Sequence, residues 1–144
     1  MLAKYYRFRV LNDTDQTITY ANAGRVDLAW IPYKFGTTGA LEYGTEVTQE
    51  VIASGETIAA DAEDEGAVVD NSTDLYIGLK GTFRVVADVS STDGTVYLYV
   101  EESTDNTIWP SDQADFEITD LFFVAAVALS TDAVDEGRAK NFEI

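Results

Sequence analysis

Apolar and polar residues alternate with a period of two along most of this chain. In Arg25–Trp30 the side chains of Val26, Leu28 and Trp30 fall on one side. Leu75, Ile77 and Leu79 align in the same way in Leu75–Lys80, and Phe83, Val85, Ala87 and Val89 in Thr82–Val89. In Thr95–Glu101 the set is Val96, Leu98 and Val100, with Tyr97, Tyr99 and Glu101 opposite. Lys140–Ile144 alternates as well. Successive side chains of an extended strand point to opposite faces, so each segment acquires a core face and an outer face. The uncharged run Leu121–Leu129 reads as a strand covered on both sides rather than a helix.

Turn chemistry separates these segments. Asn12-Asp13-Thr14-Asp15 parts the first two strands, Gly36-Thr37-Thr38-Gly39 closes the long Arg25–Phe35 segment, and Ser90–Gly94 ends in the hairpin pair Asp93-Gly94. Ser103-Thr104-Asp105-Asn106 and Trp109-Pro110-Ser111-Asp112 follow. About eight or nine strands at roughly ten-residue spacing, with no segment of helical period, predict an all-β protein. The expected architecture is a single-domain antiparallel β-sandwich over residues 1–144, jelly-roll or immunoglobulin-like.

Composition narrows the chemistry. The 144 residues are 46% hydrophobic, enough for a packed core. There is no cysteine and no histidine, which excludes disulfides, thiolate metal sites, cysteine nucleophiles and every histidine-dependent triad. The net charge of −17 repels phosphate, so no nucleic-acid partner is expected. The apolar run Leu121–Leu129 has about half the length of a membrane helix, and Met1–Arg9 alternates arginine with aromatics rather than forming a signal peptide. Synthesis in a cytoplasm and no membrane partner are expected. Asn12-Asp13-Thr14 and Asn71-Ser72-Thr73 are glycosylation-type triplets that read as turns.

Charge is placed unevenly. Residues 1–34 carry five bases and three acids, a net of +2, which leaves −19 on the other 110. Tyr5, Arg7 and Arg9 share one face of the first strand. They form either a half-exposed edge guarded by arginines or a cationic docking strip. Tyr97 and Tyr99 form an exposed patch for a partner, or core tyrosines if a second layer lies over them. These five residues are the candidate partner-binding set. Trp109 either plugs an end of the sandwich or stands at a loop tip.

No motif carries catalysis. Asp61-Ala62-Glu63-Asp64-Glu65-Gly66 opens like a calcium loop, but Ser72 stands where the bidentate carboxylate belongs, so a solvated acidic loop is expected there and around Asp132, Asp135 and Glu136. No serine sits in a Gly-x-Ser-x-Gly elbow, and Gly78-Leu79-Lys80-Gly81 lacks phosphate-loop spacing. The expectation is a non-enzymatic protein without cofactor or metal.

Val96–Pro110, a strand ending in a Ser-x-Asp-Asn-x-x-Trp turn with Asn106 where glycine is usual, resembles segments of tailed-bacteriophage virion proteins. It is also similar to discoidin-like carbohydrate-binding sandwiches. Val69–Tyr76 upstream, followed by a strand pair and this turn, looks more like the phage group. That resemblance implies a capsid decoration or cement protein of the jelly-roll type, made in the host cytoplasm and carried on the outer surface of the virion. Its implied partners are the major capsid protein or other virion proteins, and it implies a homo-oligomer, dimer or trimer. A tail, collar, baseplate or fibre-base component and a carbohydrate-binding module are the alternatives. Strands at sandwich edges can pair with a neighbour's backbone, and Tyr5–Val10 and Lys140–Ile144 are the candidates.

Overall fold

The computed structural model describes residues 2–19, 24–52, 55–86, 93–129 and 137–144. Among them run twelve strands: β1 (Tyr5–Thr14), β2 (Ile18–Thr19), β3 (Arg25–Phe35), β4 (Leu41–Tyr43), β5 (Val47–Glu50), β6 (Thr57–Ile58), β7 (Ala62–Glu65), β8 (Val69–Asp70), β9 (Gly78–Val86), β10 (Gly94–Ser103), β11 (Phe122–Leu129) and β12 (Gly137–Glu143). All ladders are antiparallel. Sheet I has the order β11-β10-β1-β7, with β8 also on β1, and sheet II the order β12-β9-β3-β4, with β5 also on β3. β2 and β6 make a small third pair. The chain is an all-β antiparallel sandwich. The count exceeds the expected eight or nine because six of the twelve are two- to four-residue pieces, too short to show a period.

The alternating sets meet between the sheets. Tyr6, Phe8 and Val10 of β1 and Val96, Leu98 and Val100 of β10 face Val26, Leu28 and Trp30 of β3 and Phe83 and Val85 of β9. Phe8 lies edge-on to Trp30 at 5.1 Å between centroids and to Phe142 of β12 at 6.0 Å. The Trp30 indole N–H donates to the Tyr6 hydroxyl at 3.3 Å. A Cβ at Gly81 would run into the Ala29 carbonyl and Trp30, so glycine there lets the strands close under the indole. Each buried ring contributes roughly 1.5–3 kcal/mol, and a one-residue slip would turn the whole set outward, so register is strongly held.

Several expectations need correction. β1 is not an edge: it lies between β10 on one side and β7 and β8 on the other. Leu75–Lys80 and Thr82–Val89 are not two strands, because β9 is continuous from Gly78 and Leu75 sits exposed in a turn at φ +52°. The positions beyond Val86, including Ala87, Val89 and the Ser90–Thr92 part of the turn, fall outside the described residues, as do Asp132, Asp135 and Glu136. Of the two Asn triplets, Asn71-Ser72-Thr73 opens a turn as expected, whereas Asn12-Asp13-Thr14 lies within β1. Asn12 lies buried in β1 and donates to the carbonyls of Gln16, Ile58 and Ala59. Asn71 is buried too, donating to Ala3 and Tyr76 carbonyls and accepting the Tyr76 N–H. Both amides satisfy backbone groups of crossing loops.

Candidate interaction surfaces

The two outer faces of the sandwich differ. Arg7, Arg9 and Leu11 of β1 stand on the outer face of sheet I beside Tyr97, Tyr99 and Glu101 of β10 and Glu63 and Glu65 of β7. Residues 104–121, leaving β10, fold back over this face as a strap with 3-10 turns at Pro110–Asp112 and Ile118–Asp120. The strap is launched by a tight turn. Asn106 has φ +59°, Ser103 Oγ accepts its N–H at 3.1 Å, and Asp105 Oδ1 accepts the Thr107 and Ile108 N–H groups at 2.9 and 3.0 Å. Those backbone donors hold the Asp105 carboxyl below the ordinary range.

Under the strap the arginines are taken up inside the molecule. Arg7 Nε donates to Glu101 Oε2 at 2.6 Å, Nη1 to Glu65 Oε1 at 2.9 Å and Nη2 to Ser111 Oγ at 3.0 Å. Arg9 pairs with Glu65 at 2.8 Å and Glu63 at 3.2 Å. The Ser111 N–H donates to Glu101 Oε1 at 2.7 Å. Trp109 lies over the Arg7 guanidinium at 4.5 Å and Phe116 over that of Arg9 at 5.4 Å. Arg7 and Arg9 side chains are 12% and 13% exposed, and Glu101 is fully buried. Burial pushes the Glu101 carboxyl up, but the hydrogen bonds from Ser111 and Arg7 outweigh it and leave it below the usual glutamate value. Tyr99 is buried with Ile118 and Leu121, while Tyr97, Leu11 and Phe116 pack partly buried around them. Of the candidate binding residues, Arg7, Arg9, Tyr97 and Tyr99 are therefore gathered on one face, as their alternation required, but beneath a cover. Tyr5 stands half-buried at the end of the same row.

The acidic opening Asp61–Gly66 is also not a loop. Ala62–Glu65 is β7, which sends Glu63 and Glu65 to the arginines and Asp64 to the other side. No group of three or more metal-capable side chains comes together among the described residues. No helix among them is long and apolar enough to cross a membrane.

The outer face of sheet II carries no comparable strap among the described residues. Across β3 it presents Asp27, Ala29, Ile31, Tyr33 and Phe35 in sequence, flanked by Thr48 and Glu50 of β5 and Lys80, Thr82 and Arg84 of β9. At one end Arg84 Nε binds both Asp27 carboxylate oxygens, at 2.9 and 3.1 Å, beside a shallow groove lined by Ala29, Thr48, Gln49 and Thr82. At the other end the β3–β4 hairpin projects an apolar ledge: Phe35, Leu41 and Tyr43 are exposed, Phe35 by 62%. The Lys80 ammonium lies 4.4 Å over the Tyr43 ring, and Tyr33 meets Tyr43 edge-on at 65°. The ledge escaped the sequence reading because Leu41–Tyr43 is too short to display alternation; the signal was the Gly36–Gly39 turn, whose second arm had to pair back on Tyr33–Phe35.

No protein-family model, no curated protein and no solved structure matches this chain. The fold and its surfaces define it as an all-β sandwich with one self-covered sheet face and one that is open among the described residues.

Proposed function

We propose that this protein is a non-enzymatic structural component of a phage particle, a capsid decoration or cement protein that stabilises the head by protein–protein contact. The observation that carries the reading is the asymmetry of the sandwich among the described residues: sheet I is covered by its own strap, while sheet II offers an open face ending in the Phe35, Leu41 and Tyr43 ledge. Exposed apolar groups of this size on an acidic body are where a partner excludes water. The virion setting rests on the resemblance of Val69–Pro110 to phage proteins. A carbohydrate-binding role calls for exposed coplanar rings, whereas Trp109 and Tyr99 are buried and Tyr33 and Tyr43 are not parallel.

The test is occupancy. Density-purified particles from the source lysate should carry the chain in hundreds of copies, counted by quantitative mass spectrometry; tail parts would number in the tens or fewer, and its absence from particles overturns the proposal. Phe35→Ser with Leu41→Ser should lower rebinding to stripped particles at least tenfold, roughly 1.4 kcal/mol, while melting of the free protein is unchanged. Millimolar glycan binding on an array would favour the carbohydrate role instead.

A further inference from the structure

A cavity of about 230 Å³ opens on the flank where β8 of sheet I approaches β3 and β5 of sheet II. Its wall is apolar: Pro32 of β3, Val47 of β5 and Val69 of β8. A Cβ at Gly44 would strike Pro32 and the Tyr76 ring, so glycine there lets the ring close the cavity against β3. Tyr6 reaches the cavity from beneath, only 2% exposed, with its hydroxyl near enough to Tyr76 for the two to interact. The Tyr6 oxygen accepts the Trp30 indole N–H, but no described residue accepts the hydroxyl proton in turn. Burial pushes the Tyr6 pKa up, so the group is a donor at neutral pH. A buried donor without an acceptor is costly, and here it faces a cavity.

The mouth of the cavity is acidic. Asp70 and Asp74 stand there exposed, beside Thr45. Hydrogen bonds from the Ser72 side chain and N–H hold the Asp70 carboxyl below its ordinary range, so it is ionised. One base answers the two acids. Lys34 Nζ donates to the Asp74 carbonyl at 3.0 Å, lies 3.7 Å from Asp74 Oδ1 and sits 5.1 Å from the Tyr76 ring centroid. The mouth therefore keeps one negative charge, on a body of −17 that concentrates cations around it. No group of three or more metal-capable side chains meets there among the described residues, which turns the reading from a metal ion to an organic cation.

We propose that this cavity binds a short amino alcohol, of the choline or ethanolamine type. The hydroxyl end enters first and accepts the Tyr6 proton, the carbons lie against Pro32, Val47 and Val69, and the cationic head stays at the mouth with Asp70 and Asp74. The size agrees: at about 30 Å³ per water-sized group the cavity holds about seven or eight such groups, and choline has about seven heavy atoms. A plain alkylammonium leaves the Tyr6 donor unanswered. A lysine reaching in from a partner protein would carry its ammonium to the apolar end and leave both carboxylates behind it. None of the ledge residues Phe35, Leu41 and Tyr43 lines the cavity, so this site stands or falls apart from the particle role.

Titration of the isotope-labelled full chain with choline and with ethanolamine, followed by amide NMR shifts, tests it. Both should bind in the millimolar range, with shifts confined to Tyr6, Thr45–Val47 and Val69–Tyr76. Ethyltrimethylammonium, which is choline without its hydroxyl, should bind about fivefold more weakly, the worth of one hydrogen bond. Choline's neutral carbon isostere dimethylbutanol should also bind more weakly, and Asp70→Asn with Asp74→Asn should weaken choline about fivefold. In Tyr6→Phe the preference for choline over ethyltrimethylammonium should vanish, with circular dichroism and melting confirming the fold. Thr45→Trp, at the exposed mouth and clear of the core, should block every ligand. No localised shift up to about 50 mM choline or ethanolamine overturns the proposal, being weaker than any useful site. So do shifts that potassium chloride reproduces at equal ionic strength, or a hydroxyl preference that survives in Tyr6→Phe.

Discussion

Glu101 is a carboxylate with no access to water, held by Arg7 and by the Ser111 N–H. Removing one partner from such a group leaves a buried charge uncompensated, which costs about 3–5 kcal/mol. Arg7→Ala, which leaves Glu101 buried without its main counter-charge, should lower unfolding free energy by that amount in urea titrations, whereas Glu50→Ala on the surface should change it by less than about 0.5 kcal/mol. The pH dependence has a fixed sign. The Glu101 carboxyl is held below the ordinary glutamate value of 4.5 in the folded state, so its stabilisation is complete above that value and is lost as pH falls through the depressed one. Acid titration followed by Trp109 emission should show the strap loosening below pH 4.5, and Glu101→Gln should remove that transition. Asn106 is the second informative position. At φ +59° an alanine should cost about 1 kcal/mol relative to asparagine, while glycine should be neutral or better, measured as a shift in urea midpoint.

At the scale of elements, the longer strands were legible because burial on one face imposes a two-residue period, visible in β1, β3 and β10. What alternation cannot reveal is which strand becomes central. The arginines of β1 read as guards of an edge, yet β1 is flanked on both sides because Glu63, Glu65 and Glu101 neutralise it from both neighbours. The strap was illegible for a similar reason. Trp109, Phe116, Ile118 and Leu121 follow no period, since a segment lying across a sheet is selected by what each residue meets below it. The Asn106 turn was readable, because its Ser-x-Asp-Asn spacing is local chemistry. Trp109→Ala should cost about 3–5 kcal/mol and expose Arg7, with Tyr99 becoming accessible to iodination.

Across the whole molecule, charge is sorted by the fold rather than by position along the chain. The net +2 of residues 1–34 reads in sequence as a cationic patch. Folding instead spends Arg7 and Arg9 inside sheet I, pairs Lys34 with Asp74 at 3.7 Å, and leaves Arg138 and Lys140 as the bases displayed at a margin. Lys80 and Arg84 stand exposed on the outer face of sheet II, so the bases are spread rather than clustered, and adding salt, which screens the mutual repulsion of the acids, should raise the melting temperature of the free protein.

The central place of β1 also sets a timetable. Its partners on β10 lie about ninety residues later, Tyr5 against Ser103 and Val10 against Leu98, so β1 waits for a partner made much later in synthesis. Loop closure over such spans is slow, and refolding in the millisecond-to-second range is expected by stopped-flow tryptophan fluorescence. Until then Tyr6, Phe8 and Val10 stay open to solvent on a nascent chain, shielded from other chains chiefly by the mutual repulsion of its acids.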